Sequence, residues 1–210
     1  MDRPLAKKAA IIMGYRHTVE SPRRHYPEAE LWGQSNAIRS WDWALMDWSR
    51  WFDIHTIGPQ AHYAGIQLLR PDILAWYQKQ GSERPIYFAE DVQGVPAAKR
   101  YPLEAVCDHV GVGAERFGCQ MDYMMALAML EGFERIIFYG CGEPYVKDPN
   151  SPEARKWFQR HSSVFYWMGR AEERGIELLF DGPCINRPFD GKYGYDMGPK
   201  GLDKWKNDAE

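Results

Sequence analysis

Short apolar runs alternate with amphipathic stretches along this chain, and each change of period marks an element. Ala9–Met13 (AAIIM) follows a basic lead-in and ends at Gly14, as a buried first strand does. Glu30–Gln34 (ELWGQ) reads as a second strand, running into Ser35 and Asn36. Residues 41–48 carry apolar positions at helical spacing, which predicts a helix or turn. Residues 50–56 (RWFDIHT) alternate as a third strand, with Phe52 and Ile54 on one face and Trp51, Asp53 and His55 on the other. Pro71 and Asp72 open a helix through Ile73, Leu74 and Tyr77 that stops at Gly81. Residues 85–89 (PIYFA) form a fourth strand, leading to Glu90 and Asp91.

The second half is more sharply punctuated. Residues 120–132 (QMDYMMALAMLEG) are rich in helix formers and stop at a glycine. The strand Arg135–Tyr139 (RIIFY) follows and ends at Gly140-Cys141-Gly142. Residues 152–174 form a long helix with Trp157, Phe158, His161, Phe165 and Met168 at steps of three and four. Gly175 ends it, and 176–180 (IELLF) is the last strand. Strands alternating with helices predict an α/β fold: a single Rossmann-like domain, with a mostly parallel sheet of about six strands and helices on both faces. Residues 1–189 make up this domain, and the polar, glycine-rich 190–210 form a C-terminal tail expected to be mobile. Repeats, linkers and low-complexity segments are missing from the sequence.

Composition narrows the function classes. The chain has 210 residues, 45% hydrophobic and 26% charged, as one globular domain does. Its net charge of −3 argues against general nucleic-acid binding and against an acidic membrane surface. Cys107, Cys119, Cys141 and Cys184 show neither a CxxC pair nor zinc spacing, so they read as reduced thiols of a cytoplasmic protein. The first apolar run is too short for a signal or a span. Nine Trp, among them Trp32, Trp41, Trp43, Trp48 and Trp51, are read first as core. A stacking wall for a base or sugar would need a Trp at the carboxyl end of a strand. Exposed Trp and Tyr would equally serve a homodimer interface.

In an open α/β sheet, ligands bind beyond the carboxyl ends of the strands, near the point where strand order reverses. The first strand delivers Gly14, Tyr15, Arg16 and His17 to that edge, and the second delivers Gln34, Ser35 and Asn36. The third delivers His55, the fourth Glu90 and Asp91, and the strand Arg135–Tyr139 delivers Gly140, Cys141, Gly142 and Glu143. Arg16, Arg23, Arg24, His17 and His25 crowd the loop after the first strand, suiting a phosphate or carboxylate. A solvated surface loop is the plain alternative. Neither G-x-G-x-x-G nor G-x-x-x-x-G-K-[ST] occurs there, which lowers the standing of a dinucleotide or P-loop cradle. His55, with Asp53 two residues before it, is a candidate general base or phosphate ligand, set against a plain structural role. His55, His62, His109 and His161 lack metal-ligand spacing, so no metal or cofactor is expected. There is no G-x-S-x-G elbow either.

Three stretches carry a resemblance. AAIIMGYRHT, then ELWGQSN, and the run CQMDYMMALAMLEGFERIIFYGCG look like segments of sialyltransferase-like and motility-accessory-factor-like bacterial glycosyltransferases. With RWFDIH, the pattern also resembles small bacteriophage proteins of this Rossmann-like type. The resemblance implies a cytidine-nucleotide donor held by positions matching Gly14, Tyr15, Asn36, Gln120 and Gly140. Two motifs depart from the family: its Gly-Pro-Ser is here Gly14-Tyr15-Arg16, and its Asp after the fifth strand is replaced by Cys141-Gly142-Glu143. His161 and Tyr166 match its catalytic His and Tyr by rough location only.

The expectation is therefore a small-molecule nucleotide or nucleotide sugar as ligand. The chain would be a metal-independent glycosyltransferase-like enzyme with His55 or His161 as base. One alternative is a non-catalytic phage protein that sequesters a nucleotide-derived defence signal. Another is a nucleotide hydrolase or nucleosidase in which Asp53 and Glu90 converge.

Overall fold

A strand with parallel neighbours on both sides and helices on both faces favours an unbroken apolar run. β1 (Ala9–Met13) is buried at all five residues and carries no polar side chain. It pairs with β2 (Glu30–Gln34) on one side and with β6 (Arg135–Tyr139) on the other. From β2 the chain steps outward through β3 (Arg50–Asp53), β4 (Ile86–Phe88) and β5 (Ala98–Arg100). It then returns to β6 and steps outward again to β7 (Glu177–Asp181). The order is β5-β4-β3-β2-β1-β6-β7, every pair is parallel, and the reversal falls between β1 and β6. The computed structural model describes residues 8–14, 22–35, 47–55, 71–141 and 151–181.

Four helices among these residues cover the sheet. α1 (Pro71–Gln78) places Ile73 and Tyr77 against Ile11, Met13, Trp51 and Ile86 on one face. α2 (Leu103–Val110), α3 (Gln120–Leu130) and α4 (Pro152–Glu173) cover the other, over Ala10, Ile12, Phe52 and Ile136. α3 is the middle helix of that layer, packed against both α2 and α4, so it is buried on almost every side. Met121, Met124, Met125 and Met129 are therefore core, where flexible thioethers fill irregular gaps. The tryptophans follow suit. Trp32 and Trp51 lie mid-strand at 0% exposure, and Trp48 and Trp76 pack against Trp51 at 5.9 and 5.0 Å between ring centroids. Trp41 and Trp43, like the helix expected over 41–48 and the tail 190–210, lie outside the described residues.

The α/β reading holds, with two additions. The seventh strand, β5, reads Ala-Lys-Arg and has only one neighbour, so it has no need of an apolar run. α2 was signalled by Pro102 before it and by Gly111 after it, which takes the left-handed conformation (φ 68°) that ends the helix. No helix among the described residues is long and apolar enough to cross a membrane.

Charge gathers at the amino ends of the strands. Arg50 opens β3 and donates to Glu30 at 2.6 Å and to Glu131 at 2.7 Å, while its guanidinium lies 5.0 Å from the centroid of the Trp32 ring. This network locks the start of β2, the start of β3 and the end of α3 together.

At the reversal point β1 and β6 approach too closely for a side chain. A Cβ on Gly14 would lie 2.0 Å from the Gly140 carbonyl oxygen and 2.3 Å from Cys141 Cα. Both are main-chain atoms that cannot rotate away. Gly14→Ala should lower the unfolding free energy by about 3 kcal/mol, read from urea titrations with an unchanged slope.

Candidate functional site

β3 ends in a carboxylate that water barely reaches. Asp53 is 2% exposed, a position a charge holds only with partners. Its Oδ2 accepts the Tyr77 hydroxyl of α1 at 2.7 Å, and its Oδ1 lies 2.5 Å from His55 Nδ1. Strand alternation alone would not join residues two apart so tightly. The backbone turns after β3, with His55 N–H reaching the Asp53 carbonyl at 3.0 Å, and this folds the ring back onto the carboxylate. A carboxylate only accepts, so Nδ1 carries the proton and the Nε2 lone pair faces outward. The His55 side chain is 29% exposed and reachable. Orientation by a buried carboxylate, an Nε2 lone pair and access from outside are what a general base needs.

The amino end of α3 meets this pair. Gln120 Nε2 donates to Ser35 Oγ at 2.8 Å and lies 3.4 Å from each ring nitrogen of His55. Ser35 follows β2, whose Gln34 donates to the Met13 carbonyl of β1 at 2.7 Å. The carboxyl ends of β1, β2 and β3 and the start of α3 thus form one hydrogen-bonded edge.

The position of Gln120 is set one turn along. Asp122 takes the backbone N–H of Gly118 at 2.7 Å and of Cys119 at 3.0 Å, and it accepts the Ser163 hydroxyl of α4. Cys119 is the N-cap, and burial pushes its thiol far up. Burial also raises the Asp122 carboxyl to about 6, against the opposing hydrogen bonds from Ser163, Gly118 and Cys119.

The expected site residues separate into three groups. His55 and Gln120 come together, joined by Ser35, Asp53 and Tyr77. Tyr77 had no sequence signal, since nothing in the helix pattern puts it under Asp53. A second group has structural employment. Gly14 and Gly140 allow close backbone approach, and Cys141, 3% exposed, donates to the Ile12 carbonyl at 3.3 Å. Arg23 corrects the picture of one basic loop at the carboxyl edge. Its guanidinium reaches Ser49 at 3.0 Å and Asp47 at 3.4 Å, just ahead of β3 and so at the amino edge, while Arg24 and His25 beside it are exposed. The crossover from β1 must carry the chain from one edge to the other before β2 begins, and it takes Arg23 with it. Glu90 is exposed, and Asp53 spends its two oxygens on His55 and Tyr77, so the described contacts do not join these carboxylates. The third group, Tyr15, Arg16, His17, Asn36, Gly142 and Glu143, lies outside the described residues.

His161 and Tyr166 do not make a pair. Five positions apart on α4 they point in different directions. The His161 ring sits 6.3 Å from that of Phe165, burial lowers its proton affinity, and the Asp53 network does not include it. Among the described residues, no group of three or more His, Cys, Asp or Glu is placed to hold a metal ion. Comparison with protein-family models, with curated proteins and with solved structures finds no match to this chain.

The Asp122 network gives a testable pH effect. A carboxyl raised in the folded chain keeps its proton there to higher pH than in the unfolded chain, so its stabilising effect is complete below 3.8 and is lost as pH rises through about 6. The stability of the parent relative to Asp122→Asn should therefore grow as pH falls between these values, measured by chemical unfolding.

Proposed function

We propose that the carboxyl edge of the sheet takes a nucleotide or nucleotide sugar, and that the chain is a metal-independent, glycosyltransferase-like enzyme with His55 as its general base. The observation that carries this reading is the Asp53–His55 contact of 2.5 Å, backed by the Tyr77 hydroxyl, at the end of β3. A purely structural histidine would be expected to have both ring nitrogens used. Here Asp53 accepts the hydrogen bond of Nδ1–H and leaves Nε2 to the approach of a substrate. Support for the ligand class comes from the parallel sheet, with its reversal between β1 and β6, and from the resemblance of the first two strands and α3 to nucleotide-sugar transferases.

In this mechanism His55 Nε2 takes the proton of the incoming nucleophile as it attacks the anomeric carbon, and Asp53 stabilises the imidazolium that forms. The bond from that carbon to the phosphate oxygen breaks, and the nucleotide leaves with the electron pair. Arg16 and His17 are the cationic residues assigned to the leaving phosphate, since Arg23 is held at the amino edge.

His55→Ala should lower kcat by about 100- to 10,000-fold while leaving nucleotide affinity nearly intact. Asp53→Asn, which loses the fixed tautomer, should lower it in the same direction. Turnover is read as free nucleotide released from a panel of nucleotide sugars with mixed acceptors, and affinity by thermal shift. Full activity in His55→Ala would sink the assignment, and tight binding of unchanged ligand by the parent would favour a binder.

A further inference from the structure

The Gln120 NH2 donates to Ser35 at 2.8 Å and lies 3.4 Å from each ring nitrogen of His55. The other end of the amide is then left over. Gln120 is 8% exposed, and its Oε1 is a buried acceptor without a hydrogen-bond partner. A buried carbonyl normally finds a donor, so the missing donor belongs to something that binds.

The His55 lone pair is open as well. Gln120 Nε2 is equally far, 3.4 Å, from the two ring nitrogens, so it lies on the plane midway between them. No point on that plane is along the outward lone-pair axis of Nε2. The contact therefore does not satisfy the acceptor.

Two neighbouring side chains thus present two unsatisfied acceptors, His55 Nε2 and Gln120 Oε1. We propose that they hold a water molecule, and that water is the nucleophile of the reaction assigned above, which makes the enzyme a nucleotide-sugar hydrolase. The inference rests on the reading of His55 as a general base acting on a nucleotide sugar. An alcohol brings one hydrogen and would leave one buried acceptor unmatched. Water brings two: one goes to Nε2 and is the proton transferred, and the other stays on oxygen and is held by Oε1. The water oxygen bonds to the anomeric carbon, the bond from that carbon to the phosphate oxygen breaks, and the nucleotide leaves with the electron pair. The products are free sugar and nucleotide, and His55 returns its proton to solvent.

The test uses the full chain with UDP-glucose, GDP-mannose and CMP-N-acetylneuraminate in heavy-oxygen water, with and without added alcohols and amines. Expected is nucleotide release without any acceptor, with heavy oxygen in the freed sugar. Release that requires an added alcohol or amine overturns the inference and leaves the transferase reading standing. No consumption under either condition removes both.

Gln120 is assigned as the residue that positions the water, and it has its own readout. Gln120→Met keeps the length and loses the acceptor, so kcat for hydrolysis should fall about 10- to 100-fold with KM within about twofold. With methanol added, the ratio of methyl glycoside to free sugar should rise, because the water has lost its special place. A structural loss would lower both products together, so an unchanged ratio with normal melting overturns the role of Gln120.

Discussion

A carboxylate at 2% exposure is tolerable only where hydrogen bonds replace the water it has lost, and Asp53 finds them from Tyr77 on one side and His55 on the other. Much of the carboxyl edge depends on that requirement. Tyr77 belongs to α1, on one face of the sheet, while Gln120 belongs to α3, on the other. Asp53 and His55 therefore lie between Tyr77 of one helical layer and Gln120 of the other, at the point where β3 stops. Because one partner of the carboxylate is an imidazole, the contact also fixes the tautomer, with the proton on Nδ1.

The two edges of the sheet divide the work by the kinds of charge they hold. At the amino edge Arg50 is matched by Glu30 and Glu131, and Arg23 by Asp47, so formal charges there are paired within the chain. At the carboxyl edge the buried Asp53 carboxylate is held by Tyr77 and His55, and the groups around it are neutral: the Gln34 and Gln120 amides, the Ser35 hydroxyl and the His55 imidazole. Paired ions resist rearrangement, whereas neutral donors and acceptors can exchange partners with a ligand at small cost. That contrast is why Arg23 is better understood as fastening the start of β3 than as part of a phosphate clamp.

The fold was largely legible because buried parallel strands and glycine stops leave strong periodic marks, as in Ala9–Met13, Arg135–Tyr139 and α3. What escaped had weak marks for a physical reason. β5 is an edge strand of three residues with two polar side chains, and edge position removes the pressure for an apolar run. At the site, His55 was legible from its place at a strand end, and Asp53 from its spacing. Tyr77 was not, because a helix pattern cannot tell which tyrosine lies under a carboxylate 24 residues earlier in the chain. Arg23 misled for a related reason: nearness in sequence to Gly14 says nothing of which edge a crossover residue reaches.

The Asp122 network acquires its meaning through Gln120. The acceptor left over on Gln120 matters only if the side chain is held still, since a mobile amide would swing to satisfy itself. Two residues on, Asp122 binds Gly118 and Cys119 in the turn before α3 and Ser163 across on α4. The start of α3 is thereby fixed to the longest helix of that layer, while Ser35 holds the amide from the sheet side. Asp122 keeps these contacts although burial raises its carboxyl to about 6. Through Gly118, Cys119 and Ser163 it fixes the turn from which Gln120 starts the helix.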